Sequence, residues 1–330
     1  MIILDFEDII EVKNLSHCYK KFRAVDNISF NVKKGEIFSF LGPNGAGKST
    51  AINVLITLLK MQSGSVTIAG HSLENEKQQV RNSIGVVFQE ITLDRDMTVY
   101  ETLEFHARLY SMPKIEREKR ISELLNLVEL TEKKDALIKE LSGGMKRRLE
   151  IARGLMTRPK VLFLDEPTIG LDPQTRMKTW EYLRAVNREG TTIFLTTHYM
   201  DEADSLSDRI AIIDKGKIIA SGTPDELKES LGEDIIYLET KDNDKTLEIL
   251  RNFHGVSDAV KKDSQILLIS NTDGAKILPK IMQILEKSSI KTISVNLKKP
   301  SMDDVFLHYT GKELRDEKRI VFAEASGEDN

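Results

Sequence analysis

Apolar residues fall in short runs of strand length that alternate with stretches of helical spacing over the first two thirds of the chain. Residues 10–15 and 24–32 read as strands joined by a turn over 16–23. A third apolar run, 36–41, leads through a glycine-rich segment into an apolar-periodic stretch at 51–59. Alternation at 65–69 and a short run at 84–88 predict two more strands. From 90 to about 140 the strand pattern stops, and helical periodicity at 99–110 and 116–130, broken at Pro113, marks a helical insertion in an α/β core. The continuous apolar run 161–164 has the character of a strand buried on both faces. A helix at 174–188, a strand at 191–196 and a hairpin turning at Lys215-Gly216 follow.

Beyond Gly232 the order is strand (235–239), helix (245–253), strand (256–261), strand (265–270), helix (275–287), strand (291–298). That β-α-β-β-α-β succession is ferredoxin-like. The expected organisation is therefore a first domain over 1–231 with a helical subdomain at about 90–156, an α+β accessory domain over 232–311 and a densely charged tail over 312–330.

Composition narrows the classes. A length of 330 residues fits two domains. With 48 basic against 52 acidic residues, a nucleic-acid partner is not expected. The apolar runs are interrupted by charge and too short to span a bilayer, and Met1-Ile2-Ile3-Leu4 is too short for a signal peptide. Cys18 is the only cysteine, so no intrachain disulfide can form, in keeping with a reducing cytoplasm.

Candidate chemistry concentrates where strands end. GPNGAGKST at 42–50 fits G-x-x-x-x-G-K-[ST] and stands between a strand and a helix, the context a phosphate loop needs. Gly42, Gly45 and Gly47 let successive backbone N–H groups point at phosphate oxygens, and the helix starting near Lys48 adds its positive end. Lys48 supplies a point charge for β- and γ-phosphates, and the Ser49 hydroxyl can ligate Mg²⁺. Asp165 and Glu166 close the apolar run, where one acid can hold Mg²⁺ and its neighbour can polarise water; strand alternation sends them to opposite sides. His198 leaves its strand at the sheet edge where ligands of open α/β sheets bind, although a lone histidine is often structural. LSGGM at 141–145, with Ser142 as N-cap and Gly143-Gly144 leaving amides open, reads as a second anion site or as an ordinary capped helix. The Lys146-Arg147-Arg148 run that follows reads as a solvated face. Tyr19 fits a ring that stacks on a purine and equally a strand-end tyrosine.

Taken in order, the phosphate loop, Gln89, LSGG, the Asp165-Glu166 strand and His198 resemble the nucleotide-binding subunit of an ATP-binding cassette (ABC) transporter, over about residues 10–231. The resemblance implies a RecA-like α/β P-loop core with a helical subdomain, and ATP with Mg²⁺ as cofactors. Under it Tyr19 stacks on adenine, and Gly42, Pro43, Asn44, Gly45, Ala46, Gly47, Lys48, Ser49 and Thr50 wrap the phosphates. Gln89 contacts Mg²⁺ and the attacking water, Asp165 sits by Mg²⁺ with Ser49, Glu166 is general base, and His198 holds the γ-phosphate and the water. Ser142, Gly143 and Gly144 touch the γ-phosphate held by a second copy, and Asp172 bridges the copies.

The usual glutamine after LSGG is Met145 here. The form LSGGMKRR, with PSMDDVFLHYTG at 300–311, is similar to the ATPases of daunorubicin-resistance-type exporters. This implies a separate membrane permease as partner and a location on the cytoplasmic face of the cell membrane. The loop after Gln89 and the helix at 99–110 are its expected contact surface. Soluble ABC proteins acting on ribosomes or nucleic acid are the competing class, but these usually carry two cassettes or a long coiled-coil insertion.

Overall fold

In the computed structural model, which describes residues 7–251, 253–262 and 265–310, strands β1 (Asp8–Tyr19) and β2 (Phe22–Lys33) pair antiparallel across a two-residue turn. Cys18 faces Arg23 and Tyr19 faces Phe22, so residues 16–23 are strand ends rather than a long turn. Irregular pairing between Val12 and Leu15 and again before His17 interrupts the period of two, which is why alternation failed to mark them.

The first unit, Met1–Ser221, continues with β3 (Ile37–Leu41), α1 (Lys48–Leu55), β4 (Ser63–Ile68), β5 (His71–Ser72), α2 (Lys77–Ser83) and β6 (Ile84–Val87). The insertion supplies α3 (Val99–Leu109), α4 (Lys114–Leu127) and α5 (Gly143–Gly154). Next come β7 (Val161–Asp165), α6 (Pro173–Arg188), β8 (Thr192–Thr197), α7 (Met200–Leu206), β9 (Arg209–Asp214) and β10 (Lys217–Gly222).

Two sheets result. One has the order β2-β1-β4-β5; the other, β10-β9-β3-β8-β7-β6, is parallel from β9 to β6. Every residue of β3, β7 and β8 is buried, in keeping with their largely apolar sequences IFSFL, VLFLD and TIFLTT. Alternate side chains go to different cores. Phe38, Phe40, Phe163 and Phe194 pack with α1 and the antiparallel sheet, while Leu162, Leu164, Ile193 and Leu195 pack with the helical insertion and α6. The insertion is held at its start by Thr98, whose hydroxyl accepts from Glu101 N (3.1 Å) while Glu101 Oε2 accepts from Thr98 N (2.8 Å).

The second unit, Gly222–Asn330, contains α8 (Pro224–Glu229), β11 (Asp234–Thr240), α9 (Asn243–Leu250), β12 (Val256–Lys262), β13 (Gln265–Ser270), α10 (Gly274–Lys287), β14 (Thr292–Lys298) and α11 (Met302–Thr310). Its antiparallel sheet runs β12-β13-β11-β14, the strand order of a ferredoxin-like unit. Ile277, Ile281 and Leu285 of α10 pack on Ile236, Leu238, Ile266 and Leu268. Helix α11 adds to that plan: Asp304 accepts from Ser301 N (2.9 Å) and the Tyr237 hydroxyl, and pairs with Lys298 (2.9 Å). The chain divides between the units at Ser221/Gly222; the Thr223 capping box starts α8, and that helix packs with α11 through Ser230 Oγ and Tyr309 Oη (3.1 Å). The tail at 312–330 lies outside the described residues.

Candidate active site

The glycine loop joins the buried end of β3 to α1 and is fixed on both flanks. Gly42 N donates to Thr197 O (3.2 Å) on β8, and Gly216 N in the β9–β10 turn donates to Ala46 O (2.9 Å). Gly47 has φ 106°, and a Cβ there would stand 2.3 Å from Ala24 O, so no other residue fits. Gly45 and Asn44 are exposed, Pro43 and Thr50 half-buried, and Ala46 buried beneath the loop. Lys48 is 4% exposed; its Nζ donates to Gly42 O (2.7 Å) and Pro43 O (3.2 Å) and lies 3.3 Å from Glu166 Oε1. Burial pushes the ammonium down against the opposing pull of Glu166 and Asp165.

The two acids part at the end of β7. Asp165 Oδ1 accepts from the Thr196 hydroxyl and from Ser49 Oγ (3.3 Å). Burial outweighs these hydrogen bonds and pushes its carboxyl up. Glu166 does not continue the strand: its φ is 46°, a left-handed conformation uncommon outside glycine. Its N–H donates to Thr196 O (3.1 Å) and Oγ1 (3.0 Å). A backbone turn, not strand alternation, thus separates the two carboxyls, and both reach residues of the loop–helix segment. Glu166 Oε2 lies 3.1 Å from His198 Nδ1. Burial pushes the Glu166 carboxyl up, but His198 and the Lys48 ammonium outweigh it and hold it below the usual glutamate range. The structure therefore brings Lys48, Ser49, Asp165, Glu166 and His198 together.

A divalent cation fits the Ser49–Asp165 pair. Both offer hard oxygens, and a positive charge would relieve the cost of burying Asp165. Among the described residues no three His, Cys, Asp or Glu side chains gather around a common point, so such an ion needs further oxygens from phosphate.

Other expected residues stand apart from this cluster. Gln89 is exposed just beyond β6, and among the described residues no hydrogen bond ties it to Ser49, Asp165 or Glu166. Tyr19 is 46% exposed at the end of β1, edge-on to His17 with ring centroids 5.0 Å apart. Ser142 caps α5, its hydroxyl accepting from Met145 N (3.2 Å). Asp172 caps α6, accepting from Thr175 N (2.9 Å) and Oγ1 (2.6 Å). A Cβ on Gly144 would stand 2.5 Å from Thr175 Cγ2, so the starts of α5 and α6 abut and Ser142, Gly143, Gly144 and Asp172 are neighbours.

Arg147 and Glu202 are buried charged residues that hydrophobic periodicity does not reveal. Arg147 sits in what reads as a solvated basic run, yet is 4% exposed, with its guanidinium against the backbone carbonyls of Asp165 (3.2 Å), Glu166 (3.0 Å) and Pro167 (2.6 Å). Its i+3 spacing to Glu150, a buried ion pair at 3.1 Å, was the available signal. Glu202 on α7, fully buried, accepts from Thr168 Oγ1 (2.8 Å) and Trp180 Nε1 (3.0 Å), tying the loop after Glu166 to the helix after His198. Burial pushes its carboxyl up from 4.5. A raised carboxyl stabilises the fold fully below the unfolded value and loses that stability as pH climbs toward the folded one. Glu202→Gln keeps the accepting oxygen and removes the ionisation. Its thermal midpoint should match wild type near pH 4.5 and exceed it by about 2–4 °C at pH 8, a shift on the order of 1 kcal/mol for a domain of this size. Calorimetry across that range checks it; a pH-independent difference would mean Glu202 is already ionised.

The ABC transporter family model matches residues 25–169, and the model for the C-terminal domain of DrrA1-3-like ATP-binding proteins matches 222–310. Linearmycin resistance ATP-binding protein LnrL of Bacillus subtilis is 38% identical, over 93% of this chain and 100% of its own. Daunorubicin/doxorubicin resistance ATP-binding protein DrrA of Streptomyces peucetius is 39% identical, over 96% of each. Among solved structures, cbiO1 from Clostridium perfringens, part of the ABC transporter complex cbiONQ, has TM-score 0.63 at 34% identity, over 67% of this chain and 91% of that one. The ATP-binding cassette MJ0796, a dimer in a post-hydrolysis state bound to ADP and Pi, has TM-score 0.59 at 32% identity, over 65% and 98%. By the identity and reach of these matches, the chain belongs to the ATP-binding subunits of ABC transporters.

Proposed function

We propose that this ATPase subunit powers an exporter whose membrane-spanning permease is a separate chain, with two copies of the subunit enclosing ATP between them. The observation that carries the reading is the convergence of Lys48 and His198 on one carboxyl, Glu166, beside the Ser49–Asp165 oxygens. Export follows from the drug-resistance relatives.

In this reading the 42–50 loop holds the phosphates, with Lys48 leaving its carbonyl partners for the β- and γ-oxygens. Ser49 and Asp165 hold Mg²⁺, joined by Gln89; when bound, the ion neutralises phosphate charge and orients the terminal phosphoryl group. Glu166 accepts the proton of the attacking water, and His198 keeps Glu166 aimed and donates to the γ-phosphate. Tyr19 lies against the base. The abutting starts of α5 and α6 form one face, where Ser142, Gly143 and Gly144 meet the γ-phosphate of the second copy and Asp172 lies at the seam.

The permease docks in a groove of about 460 Å³ lined by Leu58, Arg81, Phe88, His106, Tyr110 and Arg153. Burial and the charge of Arg153 hold His106 down to about 4, so this imidazole is neutral at pH 7 and the positive charge of the wall comes from Arg81 and Arg153. Leu58 and Tyr110 are 61% and 47% exposed. A short amphipathic helix with an acidic residue fits that lining. Among the described residues no helix is long and apolar enough to cross a membrane, so the spanning part comes from elsewhere.

Steady-state hydrolysis with and without vesicles carrying the permease tests the reading: turnover should change on adding them. Turnover indifferent to the permease but altered by ribosomes or DNA would move the chain to the soluble class. Leu58→Asp should weaken co-sedimentation with those vesicles at least tenfold, since one uncompensated charge in an apolar contact costs on the order of 1.4 kcal/mol or more.

A further inference from the structure

Arg147 uses all five of its N–H groups. Besides the three carbonyls of residues 165–167, Nη1 donates to Phe88 O and to Glu150 Oε2 (3.1 Å). One planar fork therefore binds both sides of the left-handed turn at Glu166 and the residue preceding Gln89. Glu150, with no exposure, accepts from Thr92 N (2.9 Å), and Arg153 Nη2 donates to Thr92 Oγ1 (2.6 Å). Thr92 and Arg153 line the groove. A continuous polar network thus runs from the exposed Thr92 on the groove wall, through the buried Glu150 and Arg147, to the peptide that carries Glu166.

We propose that Arg147 is a positioning residue for hydrolysis: it holds the turn that aims Glu166, and through Glu150 and Thr92 it makes that aim respond to what occupies the groove. The second half rests on the groove being the permease's seat; the first does not. A left-handed glutamate is strained and persists only where its surroundings hold it. The guanidinium supplies that hold from three consecutive carbonyls, a geometry the three donors of an ammonium on a flexible stem cannot reproduce. None of its partners is a side chain that binds phosphate, so its loss acts on turnover rather than on nucleotide capture.

The test is Arg147→Lys beside the double variant Arg147→Met/Glu150→Gln. The double variant removes both charges, so no lone ion stays buried if the single change fails to fold. In both, kcat for ATP should fall at least tenfold while the Kd for ATP stays within threefold. The Glu150→Gln single variant should in addition lose the change in turnover that permease vesicles produce in wild type. Wild-type kcat in the folded double variant, or kcat and ATP affinity falling together, overturns the assignment. If wild type itself does not respond to the permease, the groove reading fails, while the kcat–Kd split still decides the positioning role.

Discussion

Glu166→Gln should bind ATP and hydrolyse it about 10²–10⁴-fold more slowly, the range that a positioned general base supplies. The substitution is close to isosteric. The amide oxygen can still receive Lys48, which lies 3.3 Å from the carboxylate in wild type, but it cannot take a proton from water at neutral pH. Binding should therefore be spared, and ATP-bound dimers should accumulate because the step that parts them is lost. Burst-free turnover assays and size-exclusion chromatography with ATP and Mg²⁺ read both consequences. Wild-type turnover in this variant would remove Glu166 from the chemistry.

Lys48→Met reverses the order of loss. The methionine stem fills the same buried space, but the loop's own ammonium is gone, along with its bonds to phosphate. A hydrogen bond to a charged group is worth about 1.5–3 kcal/mol, so ATP affinity should fall roughly 10–150-fold, readable by titration calorimetry. Glu166 then loses one of the two partners that offset its burial, and its carboxyl rises. The acid limb of any residual turnover should move to higher pH, because a raised carboxyl stays protonated, and so useless as a base, further up the scale. Affinity unchanged from wild type would mean that the backbone amides alone hold the phosphates.

Elements set by local physics are legible in the sequence. The phosphate loop is nine consecutive residues whose types follow from backbone curvature, and β7 announces itself as the unbroken apolar run 161–164. Strand β1 was cut short because its bulges break the period that reveals a strand. The approach of Lys48 to Glu166 and of His198 to Glu166 joins residues more than 30 positions apart, and periodicity carries no such information. Arg147 and Glu202 were hidden for a different reason: each stands in a run of charged residues, and composition suggests solvent for all of them alike. Only packing shows that one arginine of the pair 147–148 turns inward. Helix α7 escaped as well, its seven residues being too few and too acidic to display an amphipathic period.

The strand order of the parallel sheet has a bearing on how the protein is made. Strand β3 is central, between β9 and β8, yet β8 begins 155 residues after it (192 − 37) and β9 172 (209 − 37). At about 5–20 residues per second on a ribosome, Ile37–Leu41 waits on the order of 8–30 s for its neighbours. The antiparallel sheet, complete by Ser72, can pair long before that. During the interval the most apolar strand next to the phosphate loop has unpaired edges, and it is there that a nascent-chain chaperone would find its substrate.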